Sequence, residues 1–174
     1  MKFLLDANVL SEGMKRRPNA KVMSRLERES AECATAAPVL HELRYGIRLL
    51  APSERRNDLE RYMTEVILTL YPVLPYDAPA AEWHAAERAR LCAAGRPAPY
   101  VDGAIAAIAA ANDLVLVTAD ARGFRRFKGL QVESWAGRGT SRSIGAKSEL
   151  DLRSVSERNR SPRFRRSAPA PQSG

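Results

Sequence analysis

Four acidic residues of this 174-residue chain stand apart because they lie beside apolar segments rather than on charged helix faces. Asp6 directly follows the Phe-Leu-Leu run of residues 3–5, and Asp120 follows the apolar residues 114–117 by three positions. The other two come near the start of predicted helices. The four candidates are Asp6, Glu42, Asp102 and Asp120. Ligands of open α/β sheets bind beyond the carboxyl ends of the strands, so we predict that these acids share one crevice.

Several carboxylates in one crevice restrict the chemistry that the crevice can support. Two carboxylates about 4 Å apart repel by roughly 4 kcal/mol at an effective dielectric constant of about 20, so a group of them needs shared protons or a cation. Asp and Glu oxygens without neighbouring Cys or His suit Mg²⁺ or Mn²⁺. Such an ion activates water and stabilises displacement at phosphorus. The four acids therefore favour hydrolysis of a phosphodiester.

A simpler interpretation of these acids is structural. Asp is a preferred N-cap residue, so Asp6 and Asp102 are candidates for helix caps, and Asp120 is a candidate turn residue. The occurrence of all four at junctions between predicted strands and helices favours the shared site.

The predicted elements that must position these acids alternate between strands and helices. Apolar runs predict strands at residues 2–5, 33–36, 72–75, 114–117 and 130–133. Helical periodicity, capping residues and Pro or Gly breaks predict helices at residues 8–17, 19–29, 38–50, 54–71, 80–94 and 102–111. This alternation predicts an α/β fold with a mostly parallel sheet and helices on both of its faces.

The net charge of +8 is unevenly distributed along the chain. Residues 1–137 carry 19 Lys and Arg against 17 Asp and Glu, whereas residues 138–174 carry 9 against 3 and contain few large apolar side chains. We predict one compact domain over residues 1–137 and a disordered, basic, Ser/Arg-rich tail over residues 138–174. Either an RNA-binding arm or an extension without function is compatible with the tail, and we favour the extension.

Composition also excludes several classes of protein. No apolar run approaches the ~18–20 residues that span a bilayer, and the apolar run near Met1 is too short for a signal peptide. Two cysteines make neither a disulfide framework nor a zinc site, so we expect a reducing cytoplasm. The sequence contains no phosphate-binding loop, dinucleotide-binding glycine motif or serine nucleophile elbow.

Four segments, in this order, give the chain a resemblance to a known family. They are FLLDANVLSE at residues 3–12, HELRYGI at residues 41–47, YVDGAIAAIA at residues 100–109 and LVTAD at residues 116–120. Residues 129–132 suit a closing strand. Over residues 1 to 135, approximately, the chain resembles PIN-domain ribonucleases, and in particular the VapC-type toxins of bacterial toxin–antitoxin pairs.

This resemblance implies a fold, a site and an activity. The fold would be a three-layer α/β/α arrangement around a mostly parallel, roughly five-stranded sheet. Asp6, Glu42, Asp102 and Asp120 would be the catalytic, metal-binding acids, with Asn8 and Thr118 holding the carboxylates by hydrogen bonds. The activity would be Mg²⁺- or Mn²⁺-dependent endonucleolytic cleavage of RNA, such as tRNA or another structured RNA. The protein would form a homodimer and would be silenced by a small cognate antitoxin.

The chain departs from the family pattern at positions that keep other functions open. Ala7 stands where Thr or Ser is usual, Ala119 interrupts a normally polar turn, and Gly123 replaces an acid or His. A catalytically decayed PIN-like module that binds RNA or a protein is therefore the alternative function. Phosphotransfer enzymes that gather aspartates at strand ends are disfavoured, because Asn8 replaces their second acid and no Lys occurs between residues 21 and 128.

Basic residues near the predicted site are candidates for contact with RNA. Arg44 and Arg48 lie one turn apart on the helix that carries Glu42, and Arg96 lies on a loop before Asp102. An exposed amphipathic face explains the first two equally well. A further basic cluster follows Asp120, and it would raise affinity without fixing sequence preference. Its members are Arg122, Arg125, Arg126 and Lys128.

Overall fold

The computed structural model of this protein describes residues 1–137. The predicted disordered tail at residues 138–174 lies outside the described residues, and the domain boundary at residue 137 stays a prediction.

A parallel five-stranded sheet lies at the centre of residues 1–137, which confirms the α/β fold class. Its strands are β1 (Phe3–Leu5), β2 (Cys33–Ala36), β3 (Val73–Leu74), β4 (Val115–Val117) and β5 (Val132–Glu133). They lie in the order β3-β2-β1-β4-β5, and each neighbouring pair is parallel. Leu4 pairs with Ala34 on one side and Leu116 on the other. The chain order therefore reverses at β1, between β2 and β4.

Helices flank this sheet in a three-layer α/β/α arrangement. They are α1 (Ala7–Leu10), α2 (Ala20–Arg28), α3 (Ala37–Arg48), α4 (Glu54–Tyr62), α5 (Leu68–Leu70), α6 (Ala78–Ala93), α7 (Tyr100–Ala111) and α8 (Ala121–Phe124). Within the described part of the chain, none of them is long and apolar enough to cross a membrane.

Three helical segments differ from their predicted form. The helix predicted over residues 8–17 is α1 followed by a 3₁₀ turn at Ser11–Met14. The helix predicted over residues 54–71 contains a π-helical turn at Met63–Ile67 and ends at Leu70. Helix α8 was not predicted, because a four-residue helix is too short to show apolar periodicity. It is held by the Asp120 carboxylate, which accepts the Gly123 N–H, and by burial of Phe124.

The hydrophobic core joins the sheet to the helix that carries Asp102. All three residues of β1 are fully buried, as are Leu116 and Val117 of β4. Helix α7 is buried along Gly103–Ala109, which explains why its sequence lacks a polar face. Its alanines bring the helix close to its neighbours. Burial of this helix therefore fixes the position of Asp102, in its first turn, relative to the sheet.

Gly103 allows helix α7 to approach helix α6 closely. A Cβ at residue 103 would overlap Nε2 of the buried His84 and lie 2.8 Å from its Cδ2. His84 is itself held in place, because its Nδ1 lies 3.0 Å from the Tyr76 hydroxyl. Burial and the charge of Arg88 lower the pKa of His84, which favours the neutral ring between the two helices.

We predict that Gly103→Ala destabilises the fold by about 1–3 kcal/mol, the usual cost of forcing a methyl group into a packed core. The flexible end of His84 cannot move freely without breaking its contact with Tyr76. Urea unfolding of the purified protein measures the loss. Gly46→Ala is the matched control, since it also lies in a helix but a Cβ there meets no atom within 4 Å; equal losses in the two variants would refute a steric cause at residue 103.

Two free cysteines differ in their surroundings. Cys33 is buried in β2, and Cys92 is exposed on α6. Desolvation, with the nearby charges of Glu29 and Glu32, raises the pKa of the Cys33 thiol to about 12.

Candidate active site

The Asp6 carboxylate lies at the carboxyl end of the central strand, where hydrogen bonds fix its orientation. Its Oδ1 accepts the Ala7 N–H at 2.7 Å, which makes Asp6 the N-cap of α1. Its Oδ2 accepts the Thr118 hydroxyl at 2.6 Å and the Asn8 amide at 2.7 Å. The structural and functional interpretations of Asp6 are therefore compatible: one carboxylate caps a helix and faces the crevice.

Asn8 and Thr118 join the ends of β1 and β4. Asn8 donates to the Thr118 hydroxyl at 3.1 Å, and its own Oδ1 accepts the Ala119 N–H at 2.8 Å. The Thr118 hydroxyl also accepts the Asp120 N–H at 3.1 Å. The hydroxyl thus makes one donated and two accepted bonds, its full capacity. These contacts place Asn8 and Thr118 where we predicted them, against a site carboxylate.

The site lies at the point where the strand order of the sheet reverses. Asp6 and Asp120 follow adjacent parallel strands, because β1 pairs directly with β4. Such reversal points are the usual ligand-binding crevices of open parallel sheets. Glu42 reaches it from the second turn of α3, and Asp102 from the first turn of α7. Asp102 is not a helix cap, because Pro99 is the N-cap residue of α7.

The four acids form one electrostatic group, which we call the acidic site. Desolvation is the largest cause raising the pKa of Asp6, and Asp120 raises it further. Desolvation followed by Asp6 and Asp102 raises the pKa of Glu42. Desolvation and Asp6 raise the pKa of Asp102, Asp120 adds to this, and Arg126 opposes it. The neighbouring negative charges therefore disfavour ionisation of Asp6, Glu42 and Asp102.

Gly123 has a structural role at the position where the family usually has an acid or His. The Asp120 carboxylate folds back over residue 123 and accepts its N–H at 3.1 Å. A Cβ at residue 123 would overlap the carboxylate oxygen of Asp120. Glycine at this position therefore permits Asp120 to cap α8. In the capped conformation Asp120 belongs to the acidic site and also accepts a hydrogen bond from its own helix.

The donor set of the acidic site consists of carboxylate oxygens. No group of three His, Cys, Asp or Glu side chains within residues 1–137 is assembled closely enough to hold a metal ion by itself. Mg²⁺ is usually bound through one or two carboxylates, with waters and substrate oxygens as its other ligands. Asp6 and Asp102 fit that smaller ligand set, because both are desolvated and the charge of Asp6 raises the pKa of Asp102.

The predicted RNA-contacting arginines occupy two different places. Arg44 and Arg48 follow Glu42 on α3 by two and six positions, which turns them by about 200° and 240° from Glu42 around the helix. They therefore face away from the acidic site, and their contact with RNA stays a prediction. Arg96, in contrast, lines a cavity together with Asp120. The sequence offered no sign that Arg126 acts on Asp102, because the two residues lie on separate helical segments.

Comparison with protein families matches residues 3–130 to the PIN domain. This match covers most of the chain, so the protein belongs to the PIN-domain family, as the resemblance of its four motifs implied. The parallel sheet with its flanking helices agrees with that family's α/β/α fold.

Two relatives and one solved structure are similar to this chain over nearly their whole length. The chain is 34% identical over 125 residues to Toxin FitB of Neisseria gonorrhoeae, covering 70% of this chain and 90% of the relative. It is 33% identical over 136 residues to the tRNA(fMet)-specific endonuclease VapC of Shigella flexneri, covering 78% and 99%. The structure of FitAB bound to a DNA fragment superposes with a TM-score of 0.72 at 29% identity, covering 79% of this chain and 98% of that one.

Proposed function

We propose that this protein is a divalent-metal-dependent endoribonuclease and the toxin of a type II toxin–antitoxin pair. The observation that supports this proposal most strongly is the acidic site, in which Asp6, Glu42, Asp102 and Asp120 are electrostatically coupled at the reversal point of the sheet. The relatives named as a toxin and as a tRNA endonuclease support the same activity. The proposed substrate is therefore RNA, and tRNA is its first candidate.

The chain's own residues prepare the site for hydrolysis. Hydrogen bonds from Thr118 and Asn8 favour the ionised form of Asp6 and fix its orientation. Asp6 and Asp102 would hold Mg²⁺ or Mn²⁺, which supplies Lewis-acid stabilisation of charge at the phosphorus. Glu42 lies on the exposed side of the site with a raised pKa, which suits a group that takes a proton from an attacking water. Asp120 adds negative potential to Asp6 and Asp102.

We further propose a small antitoxin and a second copy of this chain as partners. The FitAB structure supports a two-component assembly for this fold. Helix α3 exposes large apolar side chains next to the site, with Tyr45 58% and Leu49 67% exposed. Apolar surface of this kind is typical of protein contact sites. The proposed location is the cytoplasm, where RNA substrates occur.

A cleavage assay tests the proposed activity. Purified full-length protein, separated from any antitoxin, is incubated with tRNA in Mg²⁺ or Mn²⁺, and the products are resolved on a denaturing gel. We expect discrete fragments, complete inhibition by EDTA, and recovery when excess Mg²⁺ is restored. RNA binding without cleavage would instead support the decayed module, and stable phosphorylation of Asp6 by a phosphodonor would support a phosphotransfer enzyme.

A further inference from the structure

A cavity lined mainly by positively charged side chains adjoins the acidic site. It is lined by Arg96, Asp120, Arg122, Gly123, Arg125 and Arg126, with a volume of about 590 Å³. Four guanidinium groups therefore meet one carboxylate. None of the four forms an ion pair with an acid of residues 1–137. We call these four residues the arginine pocket.

The arginine pocket is built by two segments that are far apart in sequence. One wall is the C-terminus of α6, where Gly95, with φ +66°, donates to the Cys92 carbonyl and Arg96 donates to the Leu91 carbonyl. These two bonds form a Schellman motif, which fixes the backbone direction at Arg96. The other wall is α8 and the residues that follow it.

Hydrogen bonds made by Glu87 and Arg90 join the two walls. Glu87 accepts two hydrogen bonds from Arg90, at 2.8 and 2.7 Å, and a third from the Lys128 N–H at 2.8 Å. Arg90 also donates to the Arg126 carbonyl at 2.9 Å. Glu87 is only 8% exposed, and the hydrogen bond from Arg90 is the main cause lowering its pKa. These hydrogen bonds, which we call the Glu87–Arg90 clamp, therefore join α6 to the segment that follows α8, the two walls of the arginine pocket.

Arg126 connects the arginine pocket to the acidic site. Its guanidinium donates to the Gly123 carbonyl at 2.7 Å and lowers the pKa of Asp102. An anion in the pocket would therefore lie next to the carboxylates that act on the scissile phosphate. Guanidinium groups bind phosphate oxygens through paired hydrogen bonds. The four arginines, which form no ion pairs, are therefore suited to bind phosphate groups. Because they lie beside the proposed hydrolytic site, these phosphates would belong to the RNA strand that is cleaved.

We propose that the arginine pocket binds the phosphate backbone of the RNA strand next to the cleaved bond. This inference rests on the proposed ribonuclease function and adds a strand-binding site to it. Arg122 and Arg125 are exposed, so they contact the backbone without supporting the fold. Arg126 positions the pocket against Asp102.

The salt dependence of RNA binding tests the pocket. The full chain is titrated into a fluorescent single-stranded RNA oligonucleotide in EDTA, which prevents metal-dependent cleavage, over a range of salt concentrations. The logarithm of affinity decreases with the logarithm of salt concentration. For the double variant Arg122→Gln/Arg125→Gln, we expect this dependence to become less steep, by about 0.7 for each phosphate that the protein no longer neutralises. Lys21→Gln/Arg28→Gln is the matched control, since it removes the same charge from a groove on α2.

Each outcome of this comparison supports or overturns the pocket. A reduced slope in the Arg122/Arg125 variant alone supports it. Equal slopes in all three proteins, or a reduction in the α2 variant alone, would overturn it. Unchanged RNA binding combined with weaker capture of an antitoxin would also overturn it and would assign the pocket to a protein ligand. Cleavage of tRNA by the unchanged chain with Mg²⁺ is scored separately, so failure of the pocket is distinguishable from failure of the ribonuclease function.

Discussion

Replacing Asp102 by Asn is expected to lower the rate of RNA cleavage by about a hundredfold to a thousandfold, the scale of losing one group that stabilises charge in an active site. The variant protein should nevertheless be as stable as the unchanged protein, or more stable. Desolvation, Asp6 and Asp120 raise the pKa of Asp102 above its ordinary value of 3.8. The ionised carboxylate is therefore less favourable in the folded protein than in the unfolded chain, and the neutral amide of Asn removes this penalty.

The sign of the pH effect distinguishes this prediction from a folding defect. A carboxyl group with a raised folded-state pKa binds protons more tightly in the folded protein than in the unfolded chain. Stability is therefore greatest below about pH 3.8 as far as Asp102 is concerned, and falls as the pH rises toward the folded-state pKa. Thermal unfolding at pH 7 and near pH 4 should show the advantage of Asp102→Asn shrinking at the lower pH. A variant that is inactive and also less stable at pH 7 would contradict this account.

Replacing Thr118 by Val is expected to lower the cleavage rate 10–100-fold, the usual effect of removing a group that orients a metal ligand. The substitution preserves the shape of a fully buried side chain but removes all three hydrogen bonds of its hydroxyl. Asp6 then loses its shortest hydrogen bond, and the Asp120 N–H loses its acceptor. Single-turnover cleavage at saturating Mg²⁺ and at limiting Mg²⁺ measures the change. A larger defect at limiting Mg²⁺ is expected if Thr118 acts through the metal ligand Asp6.

Thr35 provides a matched control for Thr118. It is also buried, at 1% exposed, and its hydroxyl donates to the Leu5 carbonyl at 3.0 Å without contacting a carboxylate. Thr35→Val should cost about 1 kcal/mol of stability, the net value of one hydrogen bond, and leave cleavage unchanged. Thr118→Ser, which keeps the hydroxyl, should restore most of the activity. Equal activity losses in Thr35→Val and Thr118→Val would show that Thr118 is only structural.

The sequence predicts individual strands better than it predicts the order of the strands or the contacts between site residues. The strand at Cys33–Ala36 was predicted with its observed bounds, because a short apolar run between turn residues is a local signal. The position of β1 between β2 and β4 is a tertiary property, and the alternation of strands and helices predicts a parallel sheet but not its strand order. The contact between Asn8 and Thr118 joins residues 110 positions apart, so spacing alone cannot reveal it.

Local details of helices were least accessible to prediction. The π-helical turn at Met63–Ile67 leaves Met63 and Ile67 buried, so the apolar periodicity of residues 54–71 survives the change in hydrogen bonding. The arginine pocket was missed for a different reason. Arg96 and the cluster after Asp120 were each recognised as basic, but the Glu87–Arg90 clamp that makes them neighbours consists of tertiary contacts between α6 and residues 126 and 128.

The unequal cysteines make the protein suited to selective chemical labelling without any substitution. Cys33 is buried and its thiol resists ionisation, whereas Cys92 is exposed four residues before Arg96. Because the thiolate is the reactive species, a maleimide fluorophore should attach to the folded protein at Cys92 alone. The label would then lie on α6 four residues before Arg96 of the arginine pocket, a position from which its emission would be suited to report the arrival of an RNA strand in real time.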